Sequence, residues 1–156
     1  VTDYPDQDLV KNLWTNIDEY YSSKHGEERK IVAEGYCWGN DAGPLLAHIP
    51  SSLKPHGFEV LILADLLFNH SEHGKLVATI EATLLKSEDA KALVFFTPYR
   101  PWLYEKDMAF FDLVKDRGFV VEKVLEERME KVMFESDPGD EELRRTVFGF
   151  VMKWKL

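Results

Sequence analysis

The chain is 156 residues long, which suits one domain around a single core. Hydrophobic residues make up 45% and charged residues 30%, a balance that excludes a disordered chain, and no apolar stretch approaches the ~20 residues of a membrane-spanning helix. The formal net charge of −9 argues against generic nucleic-acid binding through phosphate contacts; it suits a cationic partner such as a basic protein segment, although many domains are acidic for solubility alone. The single cysteine, Cys37, cannot form an internal disulfide or a Cys-rich zinc cluster, and it favours a reducing compartment, the cytoplasm.

The chain opens on Val1-Thr2-Asp3-Tyr4, which is neither a signal sequence nor a basic transit peptide, and without an initiator Met it reads as cut. Residues 1–4 read as the tail of a strand closed by Pro5. From Asp6, a helix N-cap, the residues Leu9, Val10, Leu13, Trp14 and Ile17 recur at helical spacing. Residues 22–26 break that pattern, and residues 30–37 read as a short strand. Residues 41–57, with Pro44, Pro50 and Pro55, read as a loop with room for one helical turn. The apolar run 58–63 is the pattern of a strand covered on both faces.

After Ser71 the helical period returns with Leu76, Val77, Ile80 and Leu84 on one face. Residues 92–97 form a second apolar strand. Residues 106–117 are helical, with Met108, Phe111 and Val114 inward and Gly118 as the stop. Residues 119–125 and 146–154 are the last two strands, and Phe148, Phe150, Met152 and Trp154 alternate along the final one. Asp137-Pro138-Gly139-Asp140 between them is turn chemistry. Strands alternating with helices predict an α/β fold with a largely parallel sheet and helices on both faces. Two consecutive strands at the end, with no full helix between them, predict an antiparallel last strand.

Ligands in such sheets bind beyond the carboxyl ends of the strands, so the strand ends hold the candidates. Asp3 stands where a carboxylate can accept two ribose hydroxyls, although capping is the commoner use of Asp after a strand, as at Asp6. Trp38, followed by Gly39, can lie along a flat base or can be an ordinary core Trp. Asp65 follows the run 60–63 directly, in the crevice, where burying it without a partner is costly. Phe68 can wall an amine site, and Asn69 can accept a hydrogen bond from the amine. His70 and His73 have a metal-ligand spacing but no third ligand, so no metal site is expected and both read as surface histidines. Pro98 and Pro101 set a rigid loop that presents Tyr99, Arg100 and Trp102 for recognition or for local packing.

In this order, Thr2-Asp3-Tyr4-Pro5-Asp6, Gly35-Tyr36-Cys37-Trp38-Gly39, the segments 64–73 and 95–102, and the segment 139–149 resemble the seven-β-strand methyltransferases. They are closer to the protein lysine methyltransferases with an Asp-x-x-Tyr/Phe motif, here Asp65-Leu66-Leu67-Phe68. Closer still is a fungal, nicotinamide N-methyltransferase-like branch that includes protein N-terminal and lysine N-methyltransferases acting on translation elongation factor 1-alpha. The resemblance covers essentially the whole chain. It implies S-adenosyl-L-methionine as cofactor, a Rossmann-like sheet, and an N-methyltransferase acting on a basic N-terminal protein segment.

By the same resemblance Asp3 holds the ribose, Trp38 borders the adenine, and Ala64 and Asp65 line the methionine end. Phe68, Asn69 and Tyr99 face the amine, and Asp65 is expected to orient it rather than to act as a strong base. The branch's first strand and its Gly-rich turn have no counterpart here. The chain is therefore expected to be the C-terminal portion of a single class I domain, lacking a central strand and inactive and unstable alone. Two other classes remain open: a small-molecule N-methyltransferase with a nicotinamide-like acceptor, and a non-catalytic fragment that binds a partner. A NAD-linked dehydrogenase is weaker, since no hydride-transfer residues are evident. Neither nucleic acid nor a membrane is an expected partner.

Overall fold

In a computed structural model of the protein, which describes residues 1–24, 28–52 and 57–156, the apolar runs assemble into two sheets. The strands are β1 (Thr2–Asp3), β2 (Glu34–Gly35), β3 (Val60–Ala64), β4 (Lys91–Phe96), β5 (Phe119–Arg128) and β6 (Thr146–Trp154). The helices are α1 (Gln7–Ser22), α2 (Gly43–Leu46), α3 (His73–Thr83), α4 (Tyr104–Asp116) and α5 (Glu141–Arg144). Single 3-10 turns, His70–Glu72 and Pro101–Leu103, lead into α3 and α4.

β1 and β2 pair in parallel as a two-stranded unit. The other four strands lie in the order β3-β4-β6-β5, with β3 and β4 parallel and β6 antiparallel to both neighbours. The α/β class and the antiparallel last strand agree with the sequence reading.

The core lies on one face of this sheet. Ala92, Val94 and Phe96 of β4 and Phe148, Phe150 and Met152 of β6 are buried there with Leu76, Val77 and Ile80 of α3 and Phe110, Phe111 and Val114 of α4. Aromatic rings knit the two layers, with Phe111 and Phe150 centred 4.1 Å apart and Phe96 touching both. At the far end Trp154 stacks on Phe119 at 4.2 Å, and its indole N–H donates to the Leu85 carbonyl.

The opposite face is sparsely covered. Residues 58–63 were expected to be buried on both faces, yet Val60 is exposed and Ile62 is 69% exposed. The reason is position: β3 is an edge strand, and only its α3-facing residues, Leu63 above all, meet the core. The helices α3 and α4 line one face, so the expectation of helices on both faces is not met for β3. Farther along this face Phe95 and Leu125 close over Gly149, where a Cβ would stand 2.8 Å from each. Only glycine permits that approach.

Two other boundaries differ from the sequence reading. The expected strand 30–37 narrows to Glu34–Gly35, because the two residues of β1 are its only ladder partner among the described residues. A short helix, α5, follows the 137–140 turn, capped by Asp140, whose carboxylate accepts the Glu142 and Leu143 N–H groups. Asp6 caps α1 in the same way, as expected. Of the face predicted for α1 only Ile17 is fully buried, while Val10 packs against Gly35 of β2. The predicted break and loop residues Gly26 and Pro55 lie outside the described residues.

Candidate functional site

The carboxyl ends of β3 and β4 meet in a cleft walled by Asp65, Leu67, Phe68, Phe96, Thr97, Tyr99, Arg100 and Asp107. The fold assembles it by letting β3 and β4 end side by side. Asp65, directly after β3, donates its backbone N–H to the Phe95 carbonyl at 2.8 Å, which carries the ladder one residue past the strand. Its carboxylate then accepts the Thr97 N–H at 3.0 Å. Asp65 is the only non-glycine residue with a left-handed backbone among the described residues, at φ 53°. Asp tolerates that region better than most residues, and such conformations concentrate at functional sites.

The loop after Asp65 is held from behind by side chains. The Arg100 guanidinium donates to the Phe68 carbonyl at 2.7 Å. The His73 Nε2 donates to the Leu67 carbonyl at 2.7 Å, and since a carbonyl only accepts, that nitrogen carries the proton. His70 Nε2 reaches the Asp107 carboxylate at 2.6 Å. His70 and His73 stack edge to face, and His73 packs on Phe110.

Burial sets the electrostatics. It lowers the pKa of His73, opposed by the hydrogen bond to Leu67, with the neighbouring His70 lowering and Asp107 raising it further. Burial also raises the Asp107 carboxyl, against the pull of the His70 hydrogen bond and of the nearby Arg100 and His73. The Tyr99 phenol is raised by burial first and by the Asp65 charge second.

Of the residues expected to face or orient an amine, Asp65, Phe68 and Tyr99 come together on the cleft wall. Asn69 does not line it; its side-chain oxygen accepts the Ser71 hydroxyl, and its backbone leads into the 3-10 turn. Ala64 ends β3 opposite Phe95. Asp3 and Trp38 sit on the other sheet unit. Asp3 is exposed at the end of β1, with its carboxylate oriented by the Tyr4 N–H at 2.7 Å. Trp38 is half-buried against the main core, and Gly39 beside it donates to Thr79 of α3 at 2.8 Å, which ties the β2 exit to the larger sheet. An open groove of about 420 Å³ runs along that exit, walled by Gly35, Tyr36, Cys37, Asn40 and Asp41 among others, but not by Asp3 or Trp38.

The histidines correct the sequence reading. His73 is a buried residue, and His70 is half-buried in a hydrogen bond with Asp107 rather than free on the surface. Among the described residues no group of three or more His, Cys, Asp or Glu side chains could hold a metal ion. Asp107 went unnoticed in the sequence although a signal was there, since it shares the inward face of α4 with Phe111 and Val114 at helical spacing. Arg100 was read as a recognition residue, and its hydrogen bond makes it a buttress of the Phe68 loop as well.

Chemically, the cleft offers two carboxylates, Asp65 and Asp107, the Arg100 guanidinium, three aromatic side chains, Phe68, Phe96 and Tyr99, and little depth. Its cavity is about 30 Å³, room for one or two waters. That suits a small polar head group such as an amine, with the rest of its molecule outside.

No family model matches the chain. Among curated proteins it is 55% identical over 157 residues to the protein N-terminal and lysine N-methyltransferase efm7 of Neurospora crassa, an alignment covering 99% of this chain and 56% of that protein. It is 49% identical over 156 residues to the efm7 protein of Emericella nidulans, covering 99% of this chain and 60% of that one. With the EFM7 protein of Cryptococcus neoformans the identity is 42% over 173 residues, covering all of this chain and 55% of that protein. The chain thus spans a little over half the length of the curated relatives it matches. Across its whole extent it is homologous to proteins named as protein N-terminal and lysine N-methyltransferases, the branch that its motifs resemble.

Proposed function

We propose that this chain is the acceptor-side part of a class I methyltransferase domain that transfers a methyl group from S-adenosyl-L-methionine to a protein amine. The acceptor is the N-terminal amine of a basic protein segment, a lysine near it, or both; elongation factor 1-alpha is the candidate by resemblance, and the cytoplasm the compartment. The observation that carries this reading is the shallow cleft where Asp65, Phe68 and Tyr99 converge at the ends of β3 and β4. The names of the relatives support the same chemistry.

Asp3 and Trp38 fit the nucleoside end of the cofactor by donor chemistry: an exposed carboxylate at a strand end for ribose hydroxyls, and an indole for a flat base. Ala64 and Asp65 fit its amino-acid end. When bound, the cofactor supplies a methyl group activated on a sulfonium. Everything else falls to the protein's side chains. An amine must be neutral to act as a nucleophile, and an N-terminal amine, with a reference pKa of about 7.7–8.0, loses its proton far more easily than lysine at about 10.4. Phe68 and Tyr99 disfavour the hydrated ammonium form. The Asp65 carboxylate, held by the Thr97 N–H, is a fixed acceptor that orients the remaining N–H bonds. Asn69 lies off this wall with its side-chain oxygen accepting the Ser71 hydroxyl, so it is assigned no part in holding the amine.

The sheet supports a division of the domain. Among the described residues β3 has a free edge, Val60 and Ile62 are exposed beside it, and β1–β2 form a separate parallel pair. A parallel strand inserted between β1 and β3 would join the two units into one sheet and cover these residues.

The reading is tested with the protein at the length of its curated relatives. A lysine-rich peptide with a free N-terminus and nicotinamide compete for label from methyl-labelled S-adenosylmethionine. The peptide is expected to take most of the label, and preference for nicotinamide would overturn the proposal.

A further inference from the structure

The cleft is shallow, with a cavity of about 30 Å³, so on the methyltransferase reading the acceptor beyond its amine lies on the rim. That rim is apolar and exposed. Phe68 lies on one side, Trp102 is 60% exposed on the Pro98–Pro101 loop, and Met133 is 70% exposed, next to Phe134, on the long connection between β5 and β6. Tyr99 links the parts. It belongs to the cleft wall, its ring meets Phe134 edge to face at 5.3 Å, and its hydroxyl points to the Met133 sulfur at 3.5 Å.

The connection is braced in place. Buried Arg144 donates to the Phe134 carbonyl at 2.7 Å. Gly139, at φ +97°, lies against Pro101 and Trp102, where a Cβ would meet them at 3.2–3.3 Å. Both contacts fix the 133–134 dipeptide relative to the cleft.

We infer that Met133, Phe134 and Trp102 form the docking platform for the residues that follow the acceptor amine, and that its occupant is an extended, lysine-bearing peptide. Three features argue for that occupant. The cleft has room for an end group, which leaves the rest of a peptide acceptor on the rim. The platform is apolar and exposed, which suits the aliphatic stems of lysines and small side chains. Finally, the exposed side chains flanking the Met133-Phe134 pair are mostly acidic, Glu130, Glu135 and Asp137 against Lys131, while the Arg144 and Arg100 guanidiniums nearby are taken up by the Phe134 and Phe68 carbonyls. This inference rests on the methyltransferase reading for the identity of the head group, but the platform itself makes a binding claim.

The test uses the protein at its relatives' length, with two readouts. Fluorescence anisotropy measures binding of a labelled lysine-rich peptide, and a methyl-transfer assay with the same peptide gives kcat and KM. The double variant Met133→Ser/Phe134→Ser is expected to weaken peptide binding about tenfold and to raise KM similarly, with kcat within about twofold. Trp102→Ala should do the same, and Glu135→Lys should weaken binding most at low salt. Thermal melting checks that each variant folds, and Phe134→Tyr, which keeps the ring, should restore binding if the ring is what matters. Methyl transfer with unchanged KM in both the double variant and Trp102→Ala overturns the platform. Binding that depends on these residues without any methyl transfer would leave the platform standing and overturn the methyltransferase reading instead.

Discussion

His73 and Asp107 are residues whose charge state is linked to folding, since burial shifts both. The folded-state pKa of His73 lies below its ordinary value of about 6.5. Between the two values the unfolded chain binds the proton more tightly, so stability rises with pH. The contribution is complete above about pH 6.5 and is lost as pH falls toward the folded value, with a slope of at most about 1.4 kcal/mol per pH unit for one proton. His73→Gln keeps an N–H donor for the Leu67 carbonyl but cannot titrate. Urea titrations from about pH 7.5 down to 5.5 should show a shallower loss of stability in this variant than in the parent, and equal slopes would remove His73 as the source. Asp107 has the opposite sign. Its folded pKa is raised, so it disfavours folding as pH climbs above the ordinary carboxyl value. Asp107→Ala removes the hydrogen-bond partner of His70 and should destabilise the protein by about 1–3 kcal/mol, whereas Asp107→Asn, which can still pair with the ring nitrogen, should lose less, as urea titrations of both variants would show.

Among the elements, β6 decides how tightly the large sheet closes. It pairs with β4 on one side and β5 on the other, and at Gly149 it has no side chain, so Phe95 and Leu125 meet over it. Gly149→Val forces a side chain into contacts already at 2.8 Å for a Cβ, and about 1–3 kcal/mol of stability should be lost. Thermal melting of Gly149→Ala and Gly149→Val gives the check; a neutral valine would mean that Phe95 has free room to swing away. The strands and long helices themselves were readable from periodicity, since α3 buries Leu76, Val77 and Ile80 as its spacing requires. The short elements were not. α5 is a single turn whose Asp140 cap was read only as turn chemistry, and β2 shrank because its ladder partner has two residues. Neither carries enough periodic sequence to announce itself.

At the scale of the whole molecule the open side of β3 gives a sharp comparison. Ile62 is exposed in this chain, so Ile62→Lys should change stability by no more than about 0.5 kcal/mol. If a strand inserts between β1 and β3 in the protein at its relatives' length, the same lysine enters a packed sheet and should be destabilising by more than about 2 kcal/mol. Chemical denaturation of both lengths, each with and without the substitution, measures the difference. An equal, small effect in both would remove the inserted strand.

The sequence by itself determined the α/β class and the antiparallel last strand, and it marked Asp65, Phe68 and Tyr99 as candidates that the fold brings to one cleft wall. These follow from local facts: apolar periodicity, prolines that set a loop, and polar side chains stranded at strand ends. Only the tertiary structure decided which strand ends meet. It brought Thr97 to the Asp65 carboxylate, Arg100 to the Phe68 carbonyl and Asp107 to His70, pairs separated by 32 to 37 positions along the chain. It also left Asn69 off the cleft wall and set Met133 and Phe134 against Tyr99. No periodicity encodes such pairings, because they depend on how strands register and how helices turn their faces once the core has closed.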